Sequence, residues 1–317
     1  MSHVGEWTGE TGGIRAKLHR MAYGEDNRIR ATWRVLLAIP IFFVFAVTWG
    51  SITQILNEAL GIFAPLIGCF VAAVVVTVLA FVVWIRRLDR RSLDEYGIHF
   101  APSAVVELIG GFVLVLAGFA FWAGIGALGG WFSIEMTMSY SSGSLPIAVG
   151  IALVTLIFSA FPQALWYCGL IFENSKEGIQ SRINDERWGT IVAIVIASFL
   201  FVAFHLPGTD FSFAVGALLR LSVIIYALVV YIHTDSLFFV TGTHAAVASG
   251  QAMIFARPAY INSTMEWPVL FTVNNVAGLS NLITLVPFVP LLFAYVVLRV
   301  FIAVGDDTLR LDSAIWT

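Results

Sequence analysis

The stretch Ala59–Ile85, ALGIFAPLIGCFVAAVVVTVLAFVVWI, carries no charged residue and stops at the block Arg86-Arg87-Leu88-Asp89-Arg90-Arg91. A helix needs about 20 apolar residues to cross the hydrocarbon of a bilayer, so this run is long enough to span, and the arginines mark where it emerges. Comparable uncharged runs cover Val35 to Asn57, Leu108 to Ile134, Met136 to Phe172, Trp188 to Thr209, Ser236 to Ala256 and Trp267 to Leu298. Hydrophobic residues make up 59% of the chain and charged ones 12%, about half the charged share of an ordinary globular domain. The pattern predicts an all-α, polytopic transmembrane helix bundle of about eight spans. They centre on residues 35–56, 62–85, 105–127, 146–171, 188–206, 213–233, 236–256 and 281–303. The sixth carries Arg220, whose long stem is expected to snorkel to the nearer interface.

The charges sort by topology. With a cytosolic N-terminus, the cytosolic side receives every basic residue of the 17 except Arg220 and Arg257, the bias expected of cytoplasmic loops. An integral membrane protein of the cell membrane with both termini cytosolic follows. The first run is too long for the core of a signal peptide and is expected to stay in the mature protein. The net charge of −3 comes without a basic stripe, so nucleic acid is not an expected partner; membrane lipids are. Residues 1–34 read as a basic juxtamembrane arm lying against headgroups, residues 35–304 as one transmembrane domain and residues 305–317 as a short tail. The segment from Glu173 to Arg187 either prolongs the fourth helix or lies at the interface. Cys69 and Cys168 both sit in apolar runs, so no disulfide framework is implied.

Ionisable side chains are expensive within hydrocarbon and are the default functional candidates. His205 ends the run SFLFVAFHLPG, His244 lies in LFFVTGTHAAVASGQ, and Gln163 and Cys168 lie in SAFPQALWYCGLIF. A single histidine on an apolar face is more often a hydrogen-bonded structural residue, but two in neighbouring spans favour a shared site. Pro162 removes a helix hydrogen bond and is expected to kink the fourth span where its polar residues begin.

In these motifs the sequence resembles the CPBP (Abi) family, which contains the type II CAAX prenyl endopeptidases. The family pattern has two adjacent glutamates with an arginine four residues after the second, then Phe-x-x-x-His, then His-x-x-x-Asn or Asp. Phe201 to His205 supplies the second part, and His244, shortly after Asp235-Ser236-Leu237, opens the third. The motif core spans 158–250. Aligning Gly169 with the glycine that follows the family's arginine puts Gln163 and Ala164 at the glutamates and Cys168 at the arginine. Ala248 stands at the Asn or Asp position.

The resemblance implies an intramembrane endopeptidase acting on a lipidated or transmembrane peptide. In the family a glutamate and a histidine are thought to activate water, while the other His and the Asn stabilise the oxyanion. That would make His205 and His244 catalytic. The replacements imply impaired or no proteolysis, because glutamine can orient water but cannot take its proton. A positioned base is typically worth about 10² to 10⁴ in rate, and an oxyanion donor about 10² to 10³. No cofactor is named by the sequence. Other readings stay open: a rerouted hydrolase with Cys168 as nucleophile, a Cys-His-His zinc site, haem on the two histidines, or a non-enzymatic binding or transport protein. By linear rise alone, Gln163 falls in the cytosolic half of its span and His205 at the outer end of the next, so the sequence leaves their relative depth undecided.

Overall fold

Within hydrocarbon a span must close its own backbone hydrogen bonds, and a helix does so without help from neighbours. The computed structural model describes residues 19, 21–24, 28–140, 143–205, 213–254, 267–275 and 288–304. Helix α1 covers Ala31–Leu60, and α2 covers Phe63–Leu79 and runs on as a π-helical stretch, Ala80–Asp89. Helix α3 is Pro102–Leu128. Helix α4 begins at Leu145–Ala164, widens into a π-helical stretch at Leu165–Glu173 and continues as Asn174–Ile183. Helices α5, α6 and α7 are Glu186–His205, Phe213–Thr234 and Leu237–Ser249, the last prolonged by a π turn at Gly250–Ile254. Helix α8 is Phe288–Val304.

Among the described residues, seven of these helices are long and apolar enough to cross a membrane, and α8 is a shorter apolar helix. The chain is therefore an integral membrane protein with a polytopic, all-α bundle. Its outward faces are as apolar as its core: α1 exposes Leu36, Phe43, Val47 and Ile55, and α3 exposes Val105, Ile109 and Val113. Such surfaces are stable only against lipid. The segment after Glu173 prolongs the fourth helix, one of its two expected placements. Pro162 lies inside α4 without ending it, and the helix widens three residues later. The tail, most of the arm, Arg257 and the expected starts and ends of spans at residues 281–287, 206 and 255–256 lie outside the described residues.

One local element differs from the expected pattern. Phe132–Ser139 forms β1 and Val269–Asn275 forms β2, an antiparallel pair in register from Phe132 opposite Asn275 to Met136 opposite Phe271. Both strands fall inside or beside runs read as span material. Apolar composition reports burial or lipid contact, whereas strand formation depends on a partner more than 130 residues away.

Helix α7 is the centre of the bundle, packed by α3, α4 and α6 and buried on nearly all sides. Small residues allow this. A Cβ on Gly242 would lie 2.0 Å from the Leu108 carbonyl oxygen, and one on Gly111 would lie 2.3 Å from that of Phe239, so α3 and α7 cross backbone to backbone.

At one end of the bundle, an ion cluster ties α1, α2 and α4 together. The Asp89 carboxylate, fully buried, accepts from Arg34, from Tyr96 Oη and, at 2.6 Å, from Arg28. Glu177, on the extension of α4, accepts from Arg34 at 2.6 Å and also pairs with Arg91. Arg28 and Arg34, counted above among the cytosolic basic residues, are thus bonded within the protein. Removing one partner of a buried pair strands the others, at a typical cost of about 3–5 kcal/mol. Asp89→Leu is therefore expected to lower stability by about that amount in thermal unfolding of the purified protein. A change below about 1 kcal/mol would mean that the cluster contributes no more than exposed pairs do.

Candidate functional site

The Phe-x-x-x-His spacing has a local physical meaning. Residues four apart share a helix face, and His205 Nδ1 lies 2.8 Å from the Phe201 carbonyl oxygen while the two rings stack at 4.1 Å between centroids. The backbone and the phenyl ring of one turn thus hold the imidazole. As His205 is the last residue of α5, its own carbonyl has no partner within the helix. Arg220 Nε donates to that carbonyl at 2.8 Å, placing a cation at the negative end of the helix dipole. Arg220 is buried and is not the snorkelling side chain expected from the sequence. Its direction is set by the end of α5, not by the nearest interface.

Two polar residues of α4, one turn apart, meet the two histidines. Gln163 Oε1 lies 3.1 Å from His205 Nε2, and Gln163 Nε2 donates to the Ser159 carbonyl at 3.0 Å. Tyr167 Oη lies 3.1 Å from His244 Nδ1, and the Tyr167 ring meets Phe201 edge-on. The question of depth is settled: Gln163 and His205 are level. A neutral imidazole has one N–H and one lone pair, so the neutral ring can satisfy only two of the three contacts among Phe201, His205, Gln163 and Ser159. The imidazolium satisfies all three. In neither state does the glutamine carry a site that could take a proton from water.

These groups border a cavity of about 200 Å³. Gln163, Phe201, His205, His244 and Ala248 all line it, together with Ser159, Arg220 and Gln251. Phe42, Phe45 and Trp49 of α1 supply an aromatic wall. One polar face and one apolar face suit an amphipathic ligand whose polar group is held in orientation by a few side chains. Sequence reasoning missed Tyr167, Gln251 and the position of Arg220. Gln251 had a signal available, since it follows His244 by seven residues and so returns to the same helix face.

Ala164 and Cys168 behave differently. Both are fully buried in the apolar core, and neither lines the cavity. Being four residues apart, they share a face of α4 next to the one that carries Gln163 and Tyr167. Cys168 therefore does not border the cavity with His205 and His244, as the alternative readings of a thiolate nucleophile or a Cys-His-His zinc set require. Among the described residues, no three His, Cys, Asp or Glu side chains converge as metal ligands. The resemblance places an acid at 164 and a base at 168. With alanine and cysteine at both positions no charge is stranded there, and a buried ion pair exchanged for apolar residues is often neutral for stability or better.

Residues 144–249 match the family described as type II CAAX prenyl endopeptidase Rce1-like. That segment is CAAX protease-like. The match runs from the start of α4 to the end of α7, so it contains every motif residue named above and the four helices that bring them together. The resemblance drawn from the two histidines therefore holds over this segment, and the chain is a membrane protein with a CAAX protease-like segment. No curated protein and no solved structure matches it.

Two outcomes test this division of α4. Gln163→Glu is expected to fold as the parent does, because the new carboxylate faces a cavity and a histidine. Ala164→Glu buries a charge without a partner and is expected to cost about 3–5 kcal/mol; equal melting temperatures for the two variants would overturn the assignment of faces. Cys69 and Cys168, both fully buried, are expected to resist maleimide in the folded protein and to react only after denaturation. Rapid labelling of Cys168 that His205→Ala abolishes would reinstate a reactive thiol.

Proposed function

We propose that this protein keeps the peptide cavity of a CAAX protease-like fold and has lost the group that made it a protease. It would bind a lipidated or transmembrane peptide from the bilayer with little or no cleavage. The observation that carries this reading is the neutral amide of Gln163 beside His205 in a cavity that also contains His244. The position that the resemblance assigns to a proton acceptor holds a side chain that can only position. Ala248, at the position of an oxyanion donor, removes a second contribution. Losses of groups that act as a unit are not additive, so the two deficits do not simply multiply.

The same reading places both termini in the cytosol, in keeping with the positive-inside bias, and treats residues 35–304 as one membrane domain with a basic arm before it and a short tail after it. A prenylated peptide is the first ligand to try, because the family is described by that activity.

The test is cleavage of S-farnesylated and unmodified peptides by the purified protein in nanodiscs. The parent is expected to be silent. Gln163→Glu is expected to raise the rate by at least about 10², the lower end of what a positioned general base supplies. Cleavage by the parent that is lost on His205→Ala would overturn the proposal and show that a base survives elsewhere in the site.

A further inference from the structure

Gln251 is a large polar side chain, only 4% exposed, in the π turn that prolongs α7. It borders the cavity, and its amide forms no hydrogen bond among the described residues. Unpaired polar atoms occur elsewhere at depth, on Ser198, Tyr226 and Tyr231 for example, but those residues do not line the cavity. Threonine and serine residues of the same helix each donate to a carbonyl of their own helix: Thr241 to Leu237, Thr243 to Val240 and Ser249 to Ala245. Burying an amide without a partner costs free energy, so an unpaired amide facing a cavity is a group set out for a ligand.

Its place on the helix identifies what it replaces. Steps of four and seven residues from His244 lead to Ala248 and Gln251, and all three line the cavity on one face of α7. Ala248 holds the position where the resemblance puts a side-chain amide or acid. Alanine is too short to reach a ligand with a polar atom. Glutamine is one methylene longer than asparagine, and the cavity left open by Ala248 gives it room. Gly250 helps to fix the arrangement: a Cβ there would lie 2.6 Å from the Phe119 ring, so α3 packs directly against the backbone next to Gln251.

We infer that Gln251 supplies, one turn further along α7, the amide donor missing at Ala248, and that its ligand is a peptide carbonyl oxygen. This rests on the reading of the cavity as a peptide site. An amide N–H of Gln251 donates to the carbonyl, while the apolar part of the ligand packs against Phe42, Phe45 and Trp49. His244, held through Nδ1 by Tyr167, presents its other nitrogen as the second polar contact. The residue would determine which ligands are held, whether or not any bond is cut.

The experiment is fluorescence binding in nanodiscs with a dye-labelled S-farnesyl pentapeptide, with farnesol, which has no carbonyl, as a competitor. Gln251→Met keeps the length of the side chain and removes its donors. It is expected to weaken peptide binding about ten-fold, the equivalent of about 1.4 kcal/mol, and to leave competition by farnesol unchanged. Gln251→Glu, which has acceptors only, is expected to weaken peptide binding likewise, so a folding defect in either variant alone does not decide the matter. The double variant Ala248→Asn, Gln251→Met is expected to regain most of the affinity. Unchanged peptide binding by both single variants, an equal loss for peptide and farnesol, or no recovery in the double variant would each overturn the inference while leaving the proposed function standing. If the parent binds no peptide at all, the proposed function fails and the inference fails with it.

Discussion

A polar side chain in the middle of a span has no bulk water to bond and depends on partners within the protein. Most here take the nearest solution. Thr155 donates to Ile151, Ser159 to Leu156, Thr190 to Glu186 and Thr234 to Val230, each to a carbonyl three or four residues back on its own helix. A few side chains instead reach across helices, and the contacts of the site are among these. Gln163 meets His205, Tyr167 meets His244, and Arg220 meets the carbonyl end of α5. The bundle must hold α4, α5, α6 and α7 in one arrangement for these partners to be found. Cross-helix bonding therefore ties the geometry of the cavity to the packing of the whole membrane domain.

The two faces of α4 differ in what surrounds them. Positions 164 and 168 belong to the packed core, where removing an acid and a base together removes a desolvation cost along with an attraction. Positions 163 and 248 border the cavity, outside that packed core. Core packing and cavity lining are thus carried by different faces of the same helices. The retained Phe201 belongs to both, since its ring packs against Tyr167 while its carbonyl and its ring hold His205.

The close crossing of α3 and α7 serves the same site from behind. Gly111, Gly242 and Gly250 admit neighbouring backbone or an aromatic ring where any side chain would collide. This fixes the rotation of α7 about its axis and so decides that residues 244, 248 and 251 face α4 and α1.

By itself the sequence determined the membrane class, the order of the eight helices, and the two histidines with Gln163 as their neighbour. Hydropathy accumulates over each run, and the spacing of a motif within one helix translates directly into a shared face. Tertiary structure alone decided that Cys168 and Ala164 turn into the core, that Arg220 caps α5 instead of reaching for the interface, and that Gln251 joins the cavity. It alone decided that β1 and β2 pair. Each of these depends on a partner far away in the chain, and a run of apolar letters carries the free energy of leaving water but not the direction in which a side chain will point.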